Sequence, residues 1–288
     1  MKIAEILAQP NPSISFEVFP PKKDKPLEGT KDIVARIAAE RPSFMSVTYG
    51  AAGGSTGANT CAIAEHVQRT CGVTVLAHLT CIGASRETIA AEVARMRRAG
   101  IENVLCLRGD LPPETAFPGT ADFRHAVDLV RMLANEGFCL GGAAYPEGHP
   151  ESAHTTEDIA HVKEKVDAGL SFLATQMFFD NNVYFHYLAR LRDAGVTVPV
   201  VAGIMPVTNG RQIARICQLS GTHLPPRFRA IVDRFGDTPA AMLDAGVAYA
   251  TEQVVDLFAN GVNHVHVYTM NKPELAHRIR ENLRGIVG

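Results

Sequence analysis

The sequence predicts a single α/β domain of the (β/α)8 TIM barrel class, with an extra helical segment between the seventh and eighth strands. Eight short apolar runs rich in β-branched residues alternate with segments whose apolar residues recur every three or four positions. The composition does not shift along residues 1–288, so no linker divides the chain into two domains. No Gly-x-Gly-x-x-Gly turn follows the first strand, which argues against the runner-up fold, an open doubly wound sheet.

The predicted strands are apolar runs bounded by turn-forming residues. The first of them alternates apolar and polar positions, as a strand with two different faces does. The eight strands cover residues 14–19, 44–49, 73–80, 103–108, 140–145, 172–179, 198–205 and 264–269.

Apolar residues at helical spacing predict a helix after each of the first seven strands, and several of these helices end in Gly or Pro. They cover residues 31–40, 60–70, 85–99, 121–136, 156–168, 182–194 and 209–219. Residues 225–260 add a short helix and a long helix beginning near Pro239, and residues 273–286 form the last helix. Strands and helices that alternate in this way predict one closed barrel.

Composition excludes several classes of protein. A net charge of -2 with 46% hydrophobic residues gives no polyelectrolyte surface for nucleic acid or an anionic membrane. Residues 1–10 contain one lysine and no sustained apolar run, so we expect a cytoplasmic protein with neither signal peptide nor membrane span. The 6 cysteines include no Cys-x-x-Cys pair, and we expect reduced thiols rather than structural zinc or disulfides.

Polar residues follow the predicted strands at their carboxyl ends, where barrel enzymes place their chemistry. Each one alone has a structural explanation, such as a helix cap, a packing aromatic or a hydrogen-bonded core histidine. Their concentration at one rim predicts an active site there. The residues concerned are Thr48, Tyr49, His78, Thr80, Arg108, Gly109, Asp110, Tyr145, Glu147, His149, Gln176, Tyr268 and Thr269.

Glu17 stands in the apolar first strand, which Pro20 and Pro21 bring to an end. If its side chain points into a pocket with little water, desolvation raises its pKa and suits it to donate a proton near neutral pH. The residues alone favour an exposed or salt-bridged glutamate on a strand.

Two further patterns each allow a functional and a structural interpretation. Residues 50–57 (GAAGGSTG) lack the lysine of a phosphate-binding P-loop and fit a flexible active-site loop or an ordinary loop. His264 and His266 share one strand face and could hold a metal, as in a metal-dependent barrel hydrolase. No accompanying group of Asp, Glu or His is evident, so packed or surface histidines are favoured.

Six motifs occur in order along the chain: 15–22 (SFEVFPPK), 46–50 (SVTYG), 78–81 (HLTC), 108–113 (RGDLPP), 144–147 (AYPE) and 268–271 (YTMN). With these motifs the chain resembles the bacterial, FAD-dependent type of the 5,10-methylenetetrahydrofolate reductase family over nearly its whole length. The resemblance implies a barrel oxidoreductase acting on CH-NH groups. It would reduce methylenetetrahydrofolate to 5-methyltetrahydrofolate for methionine synthesis, by a ping-pong hydride relay from NADH or NADPH through bound FAD.

The resemblance also implies roles for single residues. Glu17 would be the general acid that protonates N10 of the folate, and Asp110 a catalytic charge beside flavin and pterin. Arg108 and Lys165 would face the FAD phosphates. The implied folate contacts are Gln176, Gln212, Lys272 and Tyr268, and the implied flavin contacts are Thr48, Tyr49, Ala51, His78, Arg108, Gly109, Asp110, Ala126, Tyr145, His149, Asp158 and Lys165.

Four positions depart from the family pattern. Lys272 stands where relatives can have Arg, which changes a forked contact with a carboxylate into a point charge. Ile216 occupies a place that can hold an aromatic residue over the substrate ring. His161 and Glu164 replace polar or basic residues expected near the FAD adenosine, so FAD affinity is the property they affect.

Alternatives to this function remain open at this level. The same reaction could take electrons from a partner protein such as ferredoxin, and the less favoured alternative is the metal-dependent hydrolase. Family habit predicts a homo-oligomer, in which residues 240–255 form an interface or else a core-facing helix. The appended regulatory domain of eukaryotic relatives is not expected. The sequence does not choose between NADH and NADPH.

Overall fold

The computed structural model describes residues 1–21, 26–49, 56–110 and 122–288. Parallel strands form a closed barrel in which each strand pairs with the next and β8 pairs with β1. This confirms the predicted fold class. The strands are β1 (Ser13–Val18), β2 (Met45–Val47), β3 (Val75–Thr80), β4 (Asn103–Leu107), β5 (Cys139–Ala144), β6 (Phe172–Thr175), β7 (Val200–Ile204) and β8 (His264–Tyr268).

Helices surround the barrel and include the extra segment predicted between the last two strands, which consists of α9 and α10. The helices are α1 (Ile3–Leu7), α2 (Leu27–Ala38), α3 (Thr56–Glu65), which continues as a π-helix (His66–Thr70), α4 (Arg86–Arg98), α5 (Ala126–Leu133), α6 (Thr155–Asp167), α7 (Asn181–Asp193), α8 (Gly210–Ser220), α9 (Pro226–Phe235), α10 (Pro239–Ala259), α11 (Pro273–Asn282) and α12 (Arg284–Val287). None of the helices in the described ranges combines the length and apolar character of a membrane span.

The sixth strand is shorter than the apolar run that predicted it. The run covers residues 172–179, but β6 ends at Thr175. Phe178 and Phe179 beyond it are still buried, at 0% and 2% exposure. Their apolar character therefore reflects packing of the loop rather than strand pairing.

The N-terminal helix α1, which the sequence patterns did not predict, covers the amino end of the barrel. Ile3 and Leu7 lie one helical turn apart and pack in one buried cluster with Leu105 of β4 and Phe172 at the start of β6. The backbone N–H of Ile3 donates to Asn103 Oδ1 at 2.8 Å. This end of the barrel is therefore closed, and access to the interior is from the carboxyl end.

Alternation along the strands divides their side chains into two sets. In β1, Ile14, Phe16 and Val18 join the core between barrel and helices, and the intervening residues face the barrel interior. The same holds in β8, where Val265 and Val267 face the helices. Polar side chains of β1, β2, β3 and β8 therefore gather inside the barrel: Ser15, Glu17, Ser46, His78, His266 and Tyr268.

Candidate active site

Glu17 lies inside the barrel near its carboxyl end, in register with Ser46 of β2 and Tyr268 of β8. Its side chain keeps 21% of its surface exposed, so it is accessible from the barrel mouth. Burial raises the pKa of the carboxyl to about 7, and the 3.5 Å contact from Ser46 Oγ offsets this only in part. The group can therefore both hold and release a proton near neutral pH.

His78, predicted to contact the flavin, lies beside Glu17 instead of lining the cleft described below. Its Nε2 atom is 3.7 Å from Glu17 Oε2. Burial lowers the pKa of His78 to about 4, so the ring is neutral at neutral pH. The contact therefore brings no positive charge that would favour the ionised form of Glu17.

Tyr268 closes the other side of this interior group. Its hydroxyl donates to the Thr175 carbonyl at 2.6 Å. A Cβ atom at Gly203 would lie 2.6 Å from this hydroxyl and 2.3 Å from the Thr175 carbonyl oxygen, so only glycine leaves room for it. Burial, together with the charge of Glu17, raises the pKa of Tyr268 well above 10, and the phenol stays protonated.

Hydrogen bonds join the carboxyl end of β1 to the loop that follows β8. The Asn271 side chain accepts from the backbone N–H of Phe19 at 3.0 Å and donates to the Phe19 carbonyl at 2.8 Å. Thr269 Oγ1 donates to the Glu17 carbonyl at 2.6 Å. These contacts hold the end of β1, and with it Glu17, against the loop that follows β8.

A cleft of about 840 Å³ opens at the carboxyl ends of β3 to β6. It brings together most of the predicted flavin contacts and one predicted folate contact. The predicted residues that line it are Tyr49, Arg108, Gly109, Asp110, Ala126, Tyr145, His149, Asp158, Lys165 and Gln176. Thr48 directly follows β2 without lining the cleft, and Ala51 lies outside the described residues.

Among the described residues, Arg108 and Lys165 place cationic side chains in the cleft. Arg108 makes a forked contact with Glu151, at 2.5 and 2.6 Å, and its Nε donates to the Gly109 carbonyl at 3.1 Å. Lys165 Nζ donates to the Ala143 carbonyl at 2.7 Å. Burial lowers the pKa of Lys165 to about 8. A ligand with negative charge would find two partly buried donors here.

The positions that depart from the family pattern are accommodated in different ways. Glu164 lines the cleft, but Arg131 pairs with it at 2.7 Å and balances its charge. His161 also lines the cleft. Ile216 packs at the edge of a separate apolar cluster around Phe228.

The remaining predicted folate contacts lie away from the cleft, on the side of β7 and β8. Gln212 is exposed in the first turn of α8. Lys272 occupies the N-cap position of α11, and its side chain donates to Thr208 Oγ1 at 2.5 Å. Gln212 follows β7, Lys272 follows β8, and Tyr268 is the last residue of β8, so all three lie at the same end of the barrel as the cleft.

Sequence reasoning missed Ser15, Ser46 and Glu151, and assigned His266 no role in the site. Ser46 Oγ lies 2.9 Å from His266 Nε2, and Ser15 Oγ lies 2.7 Å from His266 Nδ1. The alternation in β1 and the His-x-His spacing in β8 were the available signals. Within the described ranges, no group of three or more His, Cys, Asp or Glu residues is placed to hold a metal. The geometry gives the hydrolase alternative no support.

Comparison with known proteins agrees with this geometry. The sequence profile of the family described as methylenetetrahydrofolate reductase matches residues 2–284. "5,10-methylenetetrahydrofolate reductase" of Escherichia coli (strain K12) is 33% identical over 98% of this chain and 93% of its own length. The protein of that name from Pectobacterium carotovorum subsp. carotovorum is 34% identical over 98% of this chain and 92% of its own length.

Eukaryotic relatives are longer. "Probable methylenetetrahydrofolate reductase (NADH)" of Oryza sativa subsp. japonica is 34% identical over 98% of this chain but 50% of its own length. The chain thus spans about half the length of such curated relatives.

A solved structure shares the fold. It is an uncharacterized Clostridium thermocellum protein that binds two copies of 5-methyl-5,6,7,8-tetrahydrofolic acid, with a TM-score of 0.65 and 13% identity, covering 99% of this chain and 100% of that one. At that identity the likeness concerns the fold alone. The family profile and the bacterial relatives decide the assignment. The chain belongs to the methylenetetrahydrofolate reductase family.

Proposed function

We propose that this chain reduces 5,10-methylenetetrahydrofolate to 5-methyltetrahydrofolate, with NADH or NADPH as electron donor and FAD as the bound hydride carrier. The observation that carries this proposal is Glu17, a carboxyl group at the barrel mouth with a pKa of about 7. The names of full-length bacterial relatives support the substrate. The printed name of the rice relative makes NADH the first donor to test.

The cleft fits a large anionic cofactor. Its volume of about 840 Å³ lies in the upper part of the usual range for ligand pockets. Arg108 and Lys165 offer donors for phosphate groups. Gly109 has a φ of 90°, and a Cβ there would come within 2.9 Å of Ile82, so this glycine keeps backbone close to the cleft. Bound there, FAD would supply hydride transfer between nicotinamide and folate.

Glu17 supplies the proton that folate reduction requires. In its neutral form the carboxyl group donates its proton to N10 of the bound folate, and the bond between N10 and the methylene carbon breaks. The methylene carbon is then held by N5 as a cationic iminium that accepts hydride. Glu17 is left as a carboxylate and regains a proton from solvent before the next turnover.

Two cleft residues fit supporting roles in this reaction. The Asp110 carboxylate is exposed at the cleft and would favour the positive charge of the iminium. Gln176 turns its own Oε1 toward the Met177 backbone N–H at 2.9 Å, which leaves its amide nitrogen to donate to a ligand.

The visible spectrum of the purified protein tests this proposal. We expect a yellow protein that anaerobic NADH or NADPH bleaches and that methylenetetrahydrofolate then recolours, with 5-methyltetrahydrofolate as product. A protein that binds no added FAD would contradict the cofactor assignment. A flavoprotein that neither nicotinamide bleaches, but that a reduced ferredoxin does, would overturn the electron donor.

A further inference from the structure

A chain of hydrogen-bonding groups runs from Glu17 into the barrel. Ser46 Oγ lies 3.5 Å from Glu17 Oε2 and 2.9 Å from His266 Nε2. His266 Nδ1 lies 2.7 Å from Ser15 Oγ, which is 3.0 Å from the Val265 carbonyl. Ser15, Ser46 and His266 are buried, at 1%, 0% and 3% exposure. Because so little of their surface is exposed, these groups make their hydrogen bonds mainly to one another.

The neighbours of His266 allow either tautomer, because both of its ring nitrogens face hydroxyl groups, which can donate or accept. When Ser15 donates to the Val265 carbonyl, Nδ1 carries the proton, and the Nε2–H form requires Ser15 to turn its hydroxyl proton from Val265 to Nδ1. His264 lies two residues earlier on the same face of β8 and differs in its partners. Its Nε2 faces the Leu7 carbonyl at 3.0 Å, and a carbonyl oxygen can only accept a hydrogen bond. His264 must therefore carry its proton on Nε2 and accept from Ser13 Oγ, 2.8 Å from its Nδ1.

We propose that the tautomer of His266 follows the protonation of Glu17, so that Ser46 accepts from the neutral acid and donates to the carboxylate. This makes His266 and Ser46 positioning residues for Glu17, and it rests on the proposed function in assigning Glu17 the role of acid. The two arrangements differ by one proton, the proton that Glu17 gives to the folate.

With Glu17 neutral, its hydroxyl donates to Ser46, and Ser46 donates to His266 Nε2. The Nδ1–H group of His266 then donates to Ser15 Oγ, and the Ser15 hydroxyl donates to the Val265 carbonyl. With Glu17 ionised, Ser46 donates to the carboxylate, His266 Nε2–H donates to Ser46, and Ser15 donates to Nδ1. The ring stays neutral because it takes a proton on Nε2 from water and returns the Nδ1 proton to water.

Other titratable groups around this chain keep one state near neutral pH. Among the described residues, His78 faces Glu17 from β3, and Tyr268 faces Glu17 and His266 from β8. Burial lowers the pKa of His78 to about 4 and that of His266 to about 3. It raises the pKa of Tyr268 well above 10. Glu17 is therefore the member of this group whose charge changes near neutral pH.

Nitrogen NMR of the purified protein labelled with ¹⁵N-histidine tests the proposal directly. We expect the His266 signals to change from the Nδ1–H to the Nε2–H pattern as pH rises through about 7, while His264 keeps the Nε2–H pattern. Glu17→Gln should abolish the His266 change. A His266 that keeps one tautomer across the titration, or that becomes cationic, would overturn the proposal.

A kinetic measurement gives a second readout. Ser46→Ala removes the donor to the carboxylate, so the pH midpoint of folate-dependent flavin reoxidation should rise by about 0.5 to 1 unit. Ser13→Ala, which removes the matching hydroxyl beside His264, should leave the midpoint unchanged. An unchanged midpoint in Ser46→Ala would contradict the proposal. A wild-type protein that shows the tautomer change but does not reduce folate would instead refute the proposed function.

Discussion

Glu151 places its carboxylate on both terminal nitrogens of Arg108, at 2.5 and 2.6 Å, within the cleft. The Arg108 side chain is 16% exposed and the Glu151 side chain 61% exposed. An incoming phosphate group would therefore compete with an exposed carboxylate for a partly buried guanidinium.

Glu151→Gln should consequently raise the affinity for FAD, by about three- to tenfold, because it removes the competing charge and leaves Arg108 in place. Fluorescence titration of the flavin-free protein measures this. Glu136→Gln breaks an exposed ion pair with Arg97 away from the cleft and serves as the control. Equal or weaker FAD binding by Glu151→Gln would show that Glu151 does not compete with the cofactor.

Lys165→Met should weaken FAD binding and change its pH dependence. Since burial lowers the pKa of Lys165 to about 8, the ammonium loses its proton as pH rises through this value in the free protein. Wild-type affinity for FAD should therefore fall above about pH 8, and the variant should lack this fall. If both proteins show the same pH dependence, Lys165 is not a phosphate partner.

Gly203→Ala should destabilise the protein by displacing Tyr268 inside the barrel. Its Cβ would collide with the Thr175 carbonyl and the Tyr268 hydroxyl, and backbone cannot move away as a flexible side chain can. We expect a loss of about 1–3 kcal/mol in the free energy of unfolding, measured with denaturant. Gly29→Ala, in α2 with no neighbouring atom within 4 Å, is the matched control and should be neutral or stabilising. Equal stability of the two variants would mean that the space at Gly203 is not needed.

Glu17→Gln should stabilise the folded protein at alkaline pH. The folded-state pKa of about 7 lies above the ordinary 4.5, so wild-type stability falls as pH rises from the lower value through the higher one. The variant avoids this loss, and its advantage should grow from small near about pH 5 to about 3 kcal/mol near about pH 8. Denaturant unfolding at matched flavin content checks this, and an advantage independent of pH would contradict the raised pKa.

Much of the fold followed from local patterns in the sequence. Apolar runs and helical spacing located the barrel strands, and the polar ends of β3 to β6 indicated the cleft. The N-terminal helix was missed because five residues give too short a periodic pattern, although Ile3 and Leu7 have core spacing.

The interior contacts of the site could not be predicted in the same way. Ser46 and His266 are 220 positions apart in sequence and meet only because the barrel closes in one register. The same closure places His78 beside Glu17 rather than in the cleft. The roles of single site residues, the single-domain organisation, the homo-oligomer and the cellular location stay predictions.

The rate of each half-reaction in Glu17→Gln tests the central claim most directly. In anaerobic stopped-flow measurements, NADH should reduce the flavin of the variant at a rate within about twofold of wild type, since Glu17 takes no part in that step. Reoxidation by methylenetetrahydrofolate should slow by at least about 100-fold, because N10 receives no proton. A variant whose flavin methylenetetrahydrofolate reoxidises at the wild-type rate would contradict the assignment of Glu17 as the acid.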